Sequence, residues 1–207
     1  MFGRILSPMK NDPWLEKWLD LIRDKSAGGH ALELGCGYGR DTVDLLASGC
    51  SVIAVDISRE NLVKCAQCAR SAKLVQLDIG KPLPFADDSL PVILASLSLH
   101  YFSWQITLQI ASELRRCIAA GGLLVARFNS TNDHHFGAAS GREIEPNFYQ
   151  VGARTKRFFD EASVRTCLQG WDIQFLEENV IHRYEKPKWV WEVMAVNLAL
   201  DTSLPPA

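Results

Sequence analysis

The segment that most restricts the fold of this 207-residue chain is Ala31-Leu32-Glu33-Leu34-Gly35-Cys36-Gly37-Tyr38-Gly39-Arg40. An apolar, strand-like run enters a turn with glycine at alternate positions, and a helix opens directly after it. Such a turn lets the backbone approach a ligand closely and aims free N–H groups at it. The arrangement suits an open sheet of parallel strands, whose carboxyl ends lead into ligand-binding turns.

The remainder of the chain keeps the same alternation. Asp12-Pro13 reads as an N-cap and first helical position, followed by an apolar stripe of Trp14, Leu15, Trp18, Leu19 and Ile22. Strands are predicted over 30–36, 51–57, 73–79, 92–99 and 123–128. Helices are predicted over 40–48 and 59–70, and from a Ser103 cap to a stop at Gly121-Gly122. Periodicity is lost from Asn129 to about Arg157, a stretch too long for a routine connection and read as a substrate loop or lid. Asp160 caps a further helix. Asp172–Ile181 and Val190–Leu198, joined through Lys186-Pro187-Lys188, read as an antiparallel hairpin at the end of the sheet.

The predicted fold class is therefore α/β: a Rossmann-like, three-layer fold on a mostly parallel seven-stranded sheet with a C-terminal antiparallel hairpin. One domain is expected, divided into an N-terminal helical cap (1–29), a core (30–128), the loop or lid (129–157), the last helix and hairpin (158–200) and a frayed tail (201–207).

Composition narrows the function classes. With 47% hydrophobic and 22% charged residues the chain can bury a core, which excludes disorder and a disulfide scaffold. A net charge of -2 provides no global attraction to nucleic acid or anionic membrane. The longest apolar stretch, Pro91–Leu99, is too short to span a bilayer. The first eight residues hold no signal-peptide core, so a cytoplasmic protein with six reduced cysteines is expected. Cys65 and Cys68 form a C-x-x-C inside a helix with no second pair to complete a zinc site, and no metal is expected.

Asp56 ends the second strand, 21 positions after Gly35. There a carboxylate can accept from both ribose hydroxyls of a nucleoside-containing cofactor. A dinucleotide fingerprint requires glycines at offsets 0, 2 and 5, but offset 5 from Gly35 is Arg40. Glu33, two residues before the first glycine, would repel a pyrophosphate and can hold an ammonium. A cationic nucleoside fits better than NAD.

E-x-G-x-G-x-G over Glu33–Gly39, Asp56, Leu77-Asp78-Ile79, Pro84-Phe85-Ala86-Asp87-Asp88-Ser89-Leu90 and Glu113–Gly122 stand in this order. The set resembles the class I S-adenosylmethionine-dependent methyltransferases over about residues 30–128, with alanine where the last motif usually has proline. Gly39-Arg40-Asp41-Thr42 and the single-domain layout are also similar to small-molecule methyltransferases of the tellurite-resistance and thiopurine type. The resemblance implies S-adenosyl-L-methionine as cofactor. Glu33, Gly35, Cys36 and Gly37 would line its methionine moiety and Gly39 would shape the turn. Asp56 would take the ribose, Ile57 would pack on the adenine, and Asp78 and Ile79 would bind the adenine edge. Ser96 and Leu97 would sit beside the sulfonium. Simpler roles compete: Ile57 and Ile79 as core residues, and Asp78 as the cap of its own turn.

His100 and Tyr101 follow the fourth strand, at the edge where ligands bind. His100 is the candidate base or a hydrogen-bonded structural histidine, and Tyr101 faces the methyl group or simply packs. Arg127 and Asn129 share a strand face and complete the candidate catalytic set. Around them the loop supplies Asn132, His134, His135, Arg142, Phe148, Tyr149, Arg154, Lys156 and Arg157, suited to an anionic or carbonyl-bearing acceptor. The amino-group nucleic-acid motif N/D/S-P-P-Y/F is missing and no basic patch is evident, so a small-molecule acceptor is expected, without nucleic-acid or membrane partners, on a monomer or homodimer. Two alternatives are a dinucleotide-dependent oxidoreductase on the same sheet and a non-catalytic cofactor-binding module.

Overall fold

The computed structural model describes residues 12–198. The start of the chain and the tail from Asp201, read above for targeting and fraying, lie outside the described residues. A 3-10 turn at Glu16–Trp18 leads into α1 (Leu19–Lys25), β1 (Ala31–Leu34), α2 (Arg40–Ala47), β2 (Val52–Asp56), α3 (Arg59–Cys68) and β3 (Lys73–Gln76). After the proline-rich link come β4 (Leu90–Ser96), α4 (Trp104–Cys117) and β5 (Ile118–Asn129). The small strands β6 (Arg142–Glu145), β7 (Phe148–Val151) and β8 (Arg154–Arg157) precede α5 (Glu161–Cys167), β9 (Trp171–Ile181) and β10 (Lys188–Asn197).

The main sheet has seven strands in the order β3-β2-β1-β4-β5-β10-β9. The first five pair in parallel, whereas β10 inserts antiparallel between β5 and β9. Ile93 and Leu94 of the central strand are fully buried, facing opposite sides of the pleat. Ile93 shares a cluster with Ile110 and Leu114 of α4 and Val164 of α5, and Leu94 one with Ile22, Leu45 and Leu62 from α1 to α3. Burial of each such side chain contributes about 2 kcal/mol, so both faces of the sheet need their helical cover. This is the three-layer α/β fold expected from the alternation.

Three local expectations are corrected. Asp12 does not cap a helix: its carboxylate pairs with Arg127 and Arg183, and the first helix begins only at Leu19. The helix α4 stops at Cys117 rather than Gly121, because Ile118 is already extended and joins the sheet beside Leu90. The segment read as an irregular loop contains the three-stranded antiparallel meander β6-β7-β8. Its strands are short, largely polar and irregular between Glu143 and Glu145, which hides a period of two.

No helix among the described residues is long and apolar enough to cross a membrane. All six cysteines are free thiols.

Candidate active site

The chain runs outward from β1 through β2 to β3, then returns to continue from β4 to β5. The carboxyl ends of β1 and β4 therefore diverge, which opens a crevice at this switch point. Two adjoining cavities fill it, of about 450 and 330 Å³. Gly35, Gly37, Leu97, Tyr101 and Arg154 border both.

The three glycines of the turn do different things. A Cβ on Gly35 would meet Ser98 Cβ at 2.7 Å, so this glycine lets the β1 turn pass close against the β4 end. A Cβ on Gly39 would meet Cys65 Sγ at 2.6 Å, which makes Gly39 the contact between α2 and α3. Gly37 has φ +55 and nothing within 4 Å of a Cβ position, and it faces both cavities. It leaves room for a ligand to lie against backbone.

The turn does not offer the free N–H array that the glycine spacing suggested. Gly35 and Cys36 donate to Val55 O at 2.8 and 3.0 Å, Gly39 donates to Cys36 O at 2.9 Å, and Gly37 donates to Asp56 Oδ2 at 2.9 Å. These four amides are spent within the protein and are not free to face a ligand.

Asp56 is buried at the end of β2 and borders the larger cavity. Besides Gly37, its carboxylate accepts from the Ser58 amide at 2.8 Å and from Asn61 Nδ2 at 3.2 Å on each oxygen. These bonds give the acid a structural role of its own beside any ligand. Ile57 is 64% exposed and borders the same cavity, so it is not a core residue. Asp78 accepts from the Gly80 amide at 3.0 Å, capping its turn, and also borders the cavity; Ile79 beside it is buried. Ser98 Oγ is buried there without a partner, a polar atom that a ligand can satisfy.

The smaller cavity is more polar. Glu33 is 3% exposed and accepts from Thr42 Oγ1 at 2.5 Å. Burial, then repulsion from Asp41, pushes its carboxyl up to about 8. Cys36 borders the same space, and its thiol is pushed far up by burial, leaving it a neutral wall. Leu97 adopts φ +55, held by its N–H donating to Arg127 O at 3.0 Å. A non-glycine residue in this region stores strain, and here it puts the Leu97 backbone at the meeting of the two cavities. His100 is buried with Nδ1 unpartnered, its ring 4.0 Å from that of Tyr101. Burial, reinforced by Lys188 and Lys156, holds its pKa well below the usual histidine value, so the imidazole is neutral at pH 7. Burial raises the Tyr101 phenol, which stays protonated.

Arg127 and Asn129 border neither cavity. Arg127 is fully buried, donating to Ser96 Oγ through Nε and Nη2 at 3.0 and 2.8 Å and to Asp12 Oδ2 at 2.9 Å. It supports Ser96, which does border the smaller cavity. Asn129 is buried against the Arg157 carbonyl.

The loop cluster is dispersed. Asn132 binds Glu178, His134 meets the Ala138 carbonyl, and His135 and Arg142 are exposed. Phe148 is buried and Tyr149 lies near Phe158. Arg157 is buried against Glu145. Only Arg154 and Lys156 of this cluster reach the cavities. Three residues not singled out from the sequence join them: Arg183, Tyr184 and Lys188, brought in where β9 turns into β10. Among the described residues no group of three or more His, Cys, Asp and Glu side chains is placed to hold a metal.

The family model "Methyltransferase domain" matches residues 32–126. An uncharacterized methyltransferase of Synechocystis is 31% identical over 98 residues, 47% of this chain and 46% of that protein. The chain spans less than half the length of the curated relatives it matches. Among solved structures, an S-adenosylmethionine-dependent methyltransferase from Methanosarcina mazei has a TM-score of 0.73 at 18% identity, covering 82% of this chain and 92% of that one. A 1,6-didemethyltoxoflavin-N1-methyltransferase of Burkholderia thailandensis, solved with 1,6-didemethyltoxoflavin and S-adenosylhomocysteine, has a TM-score of 0.64 at 19% identity, covering 91% of this chain and 82% of that one. At these identities the likeness to solved structures is one of fold.

Proposed function

We propose that residues 32–126, which match the methyltransferase-domain model, form a class I S-adenosylmethionine-dependent methyltransferase domain, and that the chain transfers the methyl group of this cofactor to a small-molecule acceptor by in-line displacement. The observation that carries the reading is the pair of cavities meeting at Leu97 and Tyr101. One is walled by Asp56 and the exposed Ile57, and suits a nucleoside. The other is polar and suits the methionine end of the cofactor together with an acceptor.

When bound, the cofactor supplies an electrophilic methyl group on a sulfonium. Around it, Asp56 accepts from ribose hydroxyls, Ile57 covers the adenine, and Asp78 and Ile79 bind the adenine edge. Glu33 faces the methionine ammonium, with Gly35, Cys36 and Gly37 forming the wall beside it. Ser96 and Leu97 border the reacting end. Displacement depends on alignment and exclusion of water, so these residues act mainly by fixing position. His100, neutral with a free Nδ1, accepts the acceptor's proton where the reaction releases one. Tyr101 closes the wall between the cavities. Arg127 is a positioning residue: its guanidinium fixes Ser96 and its carbonyl fixes the Leu97 amide. Asn129 has no role in transfer in this reading.

The glycine spacing weighs against a dinucleotide-dependent oxidoreductase, since Arg40 stands where that fingerprint needs its third glycine. The test is a screen of small-molecule fractions with methyl-labelled cofactor. Label should pass to a small molecule, and His100→Phe should lower kcat while S-adenosylhomocysteine affinity stays within about twofold. Cofactor binding with no transfer to any fraction would instead support a non-catalytic module.

A further inference from the structure

The smaller cavity carries an excess of positive charge that its own carboxylates do not neutralise. Arg40, Arg154, Lys156, Arg183 and Lys188 border it, against Glu33 and Asp41. Lys188 is paired with Asp133 at 2.6 Å. Arg183 shares one carboxylate, Asp12, with Arg127. Among the described residues Arg40, Arg154 and Lys156 form no ion pair. On the opposing side, Asp41 already accepts from Trp14 Nε1 at 3.2 Å.

The strand β8 sorts its charges by pleat. Arg154 and Lys156 reach the cavity, while Arg157 lies with the opposite set and is buried against Glu145 and the rings of Trp104 and Phe148. Lys156 is half-buried, and among the described residues its one hydrogen bond is to the Phe136 carbonyl at 3.0 Å, which leaves donors free. A half-buried ammonium without a carboxylate partner is costly unless an anion completes it.

We infer, resting on the methyl-transfer reading above, that this cavity takes an acceptor carrying a carboxylate or phosphate group, bound by Lys156 Nζ with the Arg154 guanidinium at its rim. Burial, and after it the Arg154 charge, draws the Lys156 ammonium below its usual range against the opposing effect of Asp133. A bound anion reverses that strain. The acceptor's anionic group serves as its handle and sets its orientation toward Leu97.

The experiment uses the full chain saturated with S-adenosylhomocysteine, so that the cofactor's own carboxylate site is filled. Inorganic phosphate and acetate are titrated separately at constant ionic strength, with binding read by calorimetry. Saturable binding is expected. Tighter phosphate binding points to a phosphorylated acceptor and tighter acetate binding to a carboxylic acid. Lys156→Met should weaken it at least tenfold, Lys156→Arg should restore most of it, and S-adenosylhomocysteine affinity should change by less than twofold in both. Wild type that binds S-adenosylhomocysteine but neither anion overturns the inference and leaves the methyl-transfer reading standing. Anion binding unchanged in Lys156→Met also overturns it, as does a parallel loss of S-adenosylhomocysteine affinity, which would assign Lys156 to the cofactor. Wild type that does not bind S-adenosylhomocysteine at all overturns the methyl-transfer reading itself.

Discussion

Arg127 Nη1 lies 2.9 Å from Asp12 Oδ2, joining the segment before the first helix to the carboxyl end of β5 across 115 positions of sequence. The guanidinium is fully buried, and its other nitrogens hold Ser96 beside the smaller cavity. Removing Asp12 leaves a buried cation without its carboxylate, a loss of roughly 3 kcal/mol. Asp12→Asn should lower the free energy of unfolding by about that amount in urea titration. In a domain of this size the melting temperature should fall by about 6–12 °C. An unchanged midpoint would show that this pair contributes nothing to the fold.

Glu33 links pH to stability. Its carboxyl is pushed up to about 8 in the folded chain, against about 4.3 in an unfolded one. Below about 4.3 both states are protonated and the contribution is complete. Between these values the unfolded state ionises while the folded state keeps its proton, so stability falls as pH rises, by up to about 1.4 kcal/mol per unit. Glu33→Gln retains the bond from Thr42 and removes this slope. The difference in unfolding free energy between variant and wild type should therefore grow in the variant's favour from pH 5 to pH 8. Parallel profiles would place the Glu33 pKa near its ordinary value.

Gly39 and Cys65 form a second testable pair. With φ +85 and Sγ 2.6 Å from a Cβ position, Gly39→Ala meets both backbone strain and a clash. The expected loss is about 2–4 kcal/mol by chemical denaturation. Adding Cys65→Ala removes the sulfur and should recover part of the loss, leaving roughly 1–2 kcal/mol from the backbone. Additive losses in the double variant would contradict the contact.

The two pairs also show which features were legible in the sequence. Gly35, Gly37 and Gly39 are contiguous with a strand and a helix, so their turn could be read from local pattern. The strand alternation and the closing hairpin were legible for the same reason. Asp12 was read as a helix cap because local chemistry favours it there, yet a distant buried arginine takes its carboxylate. Arg183 and Lys188 reach the cavity only because β10 inserts between β5 and β9, a tertiary event with no local signature. The positive φ of Leu97 is equally invisible, since nothing about leucine announces it. The strands β6 to β8 escaped because polar residues on both faces erase the alternation that marks a half-buried strand.

The most direct test concerns Asp56, bonded to the Gly37 amide at 2.9 Å at the edge of the larger cavity. Titration calorimetry should show S-adenosylhomocysteine binding to one site on the wild-type chain, with no heat from NAD or NADP. Asp56→Ala should weaken that binding by about 2 kcal/mol, roughly 30-fold, because two hydrogen bonds to a charged acceptor are lost. Binding of NAD in place of S-adenosylhomocysteine, or S-adenosylhomocysteine affinity unchanged in Asp56→Ala, would contradict the account.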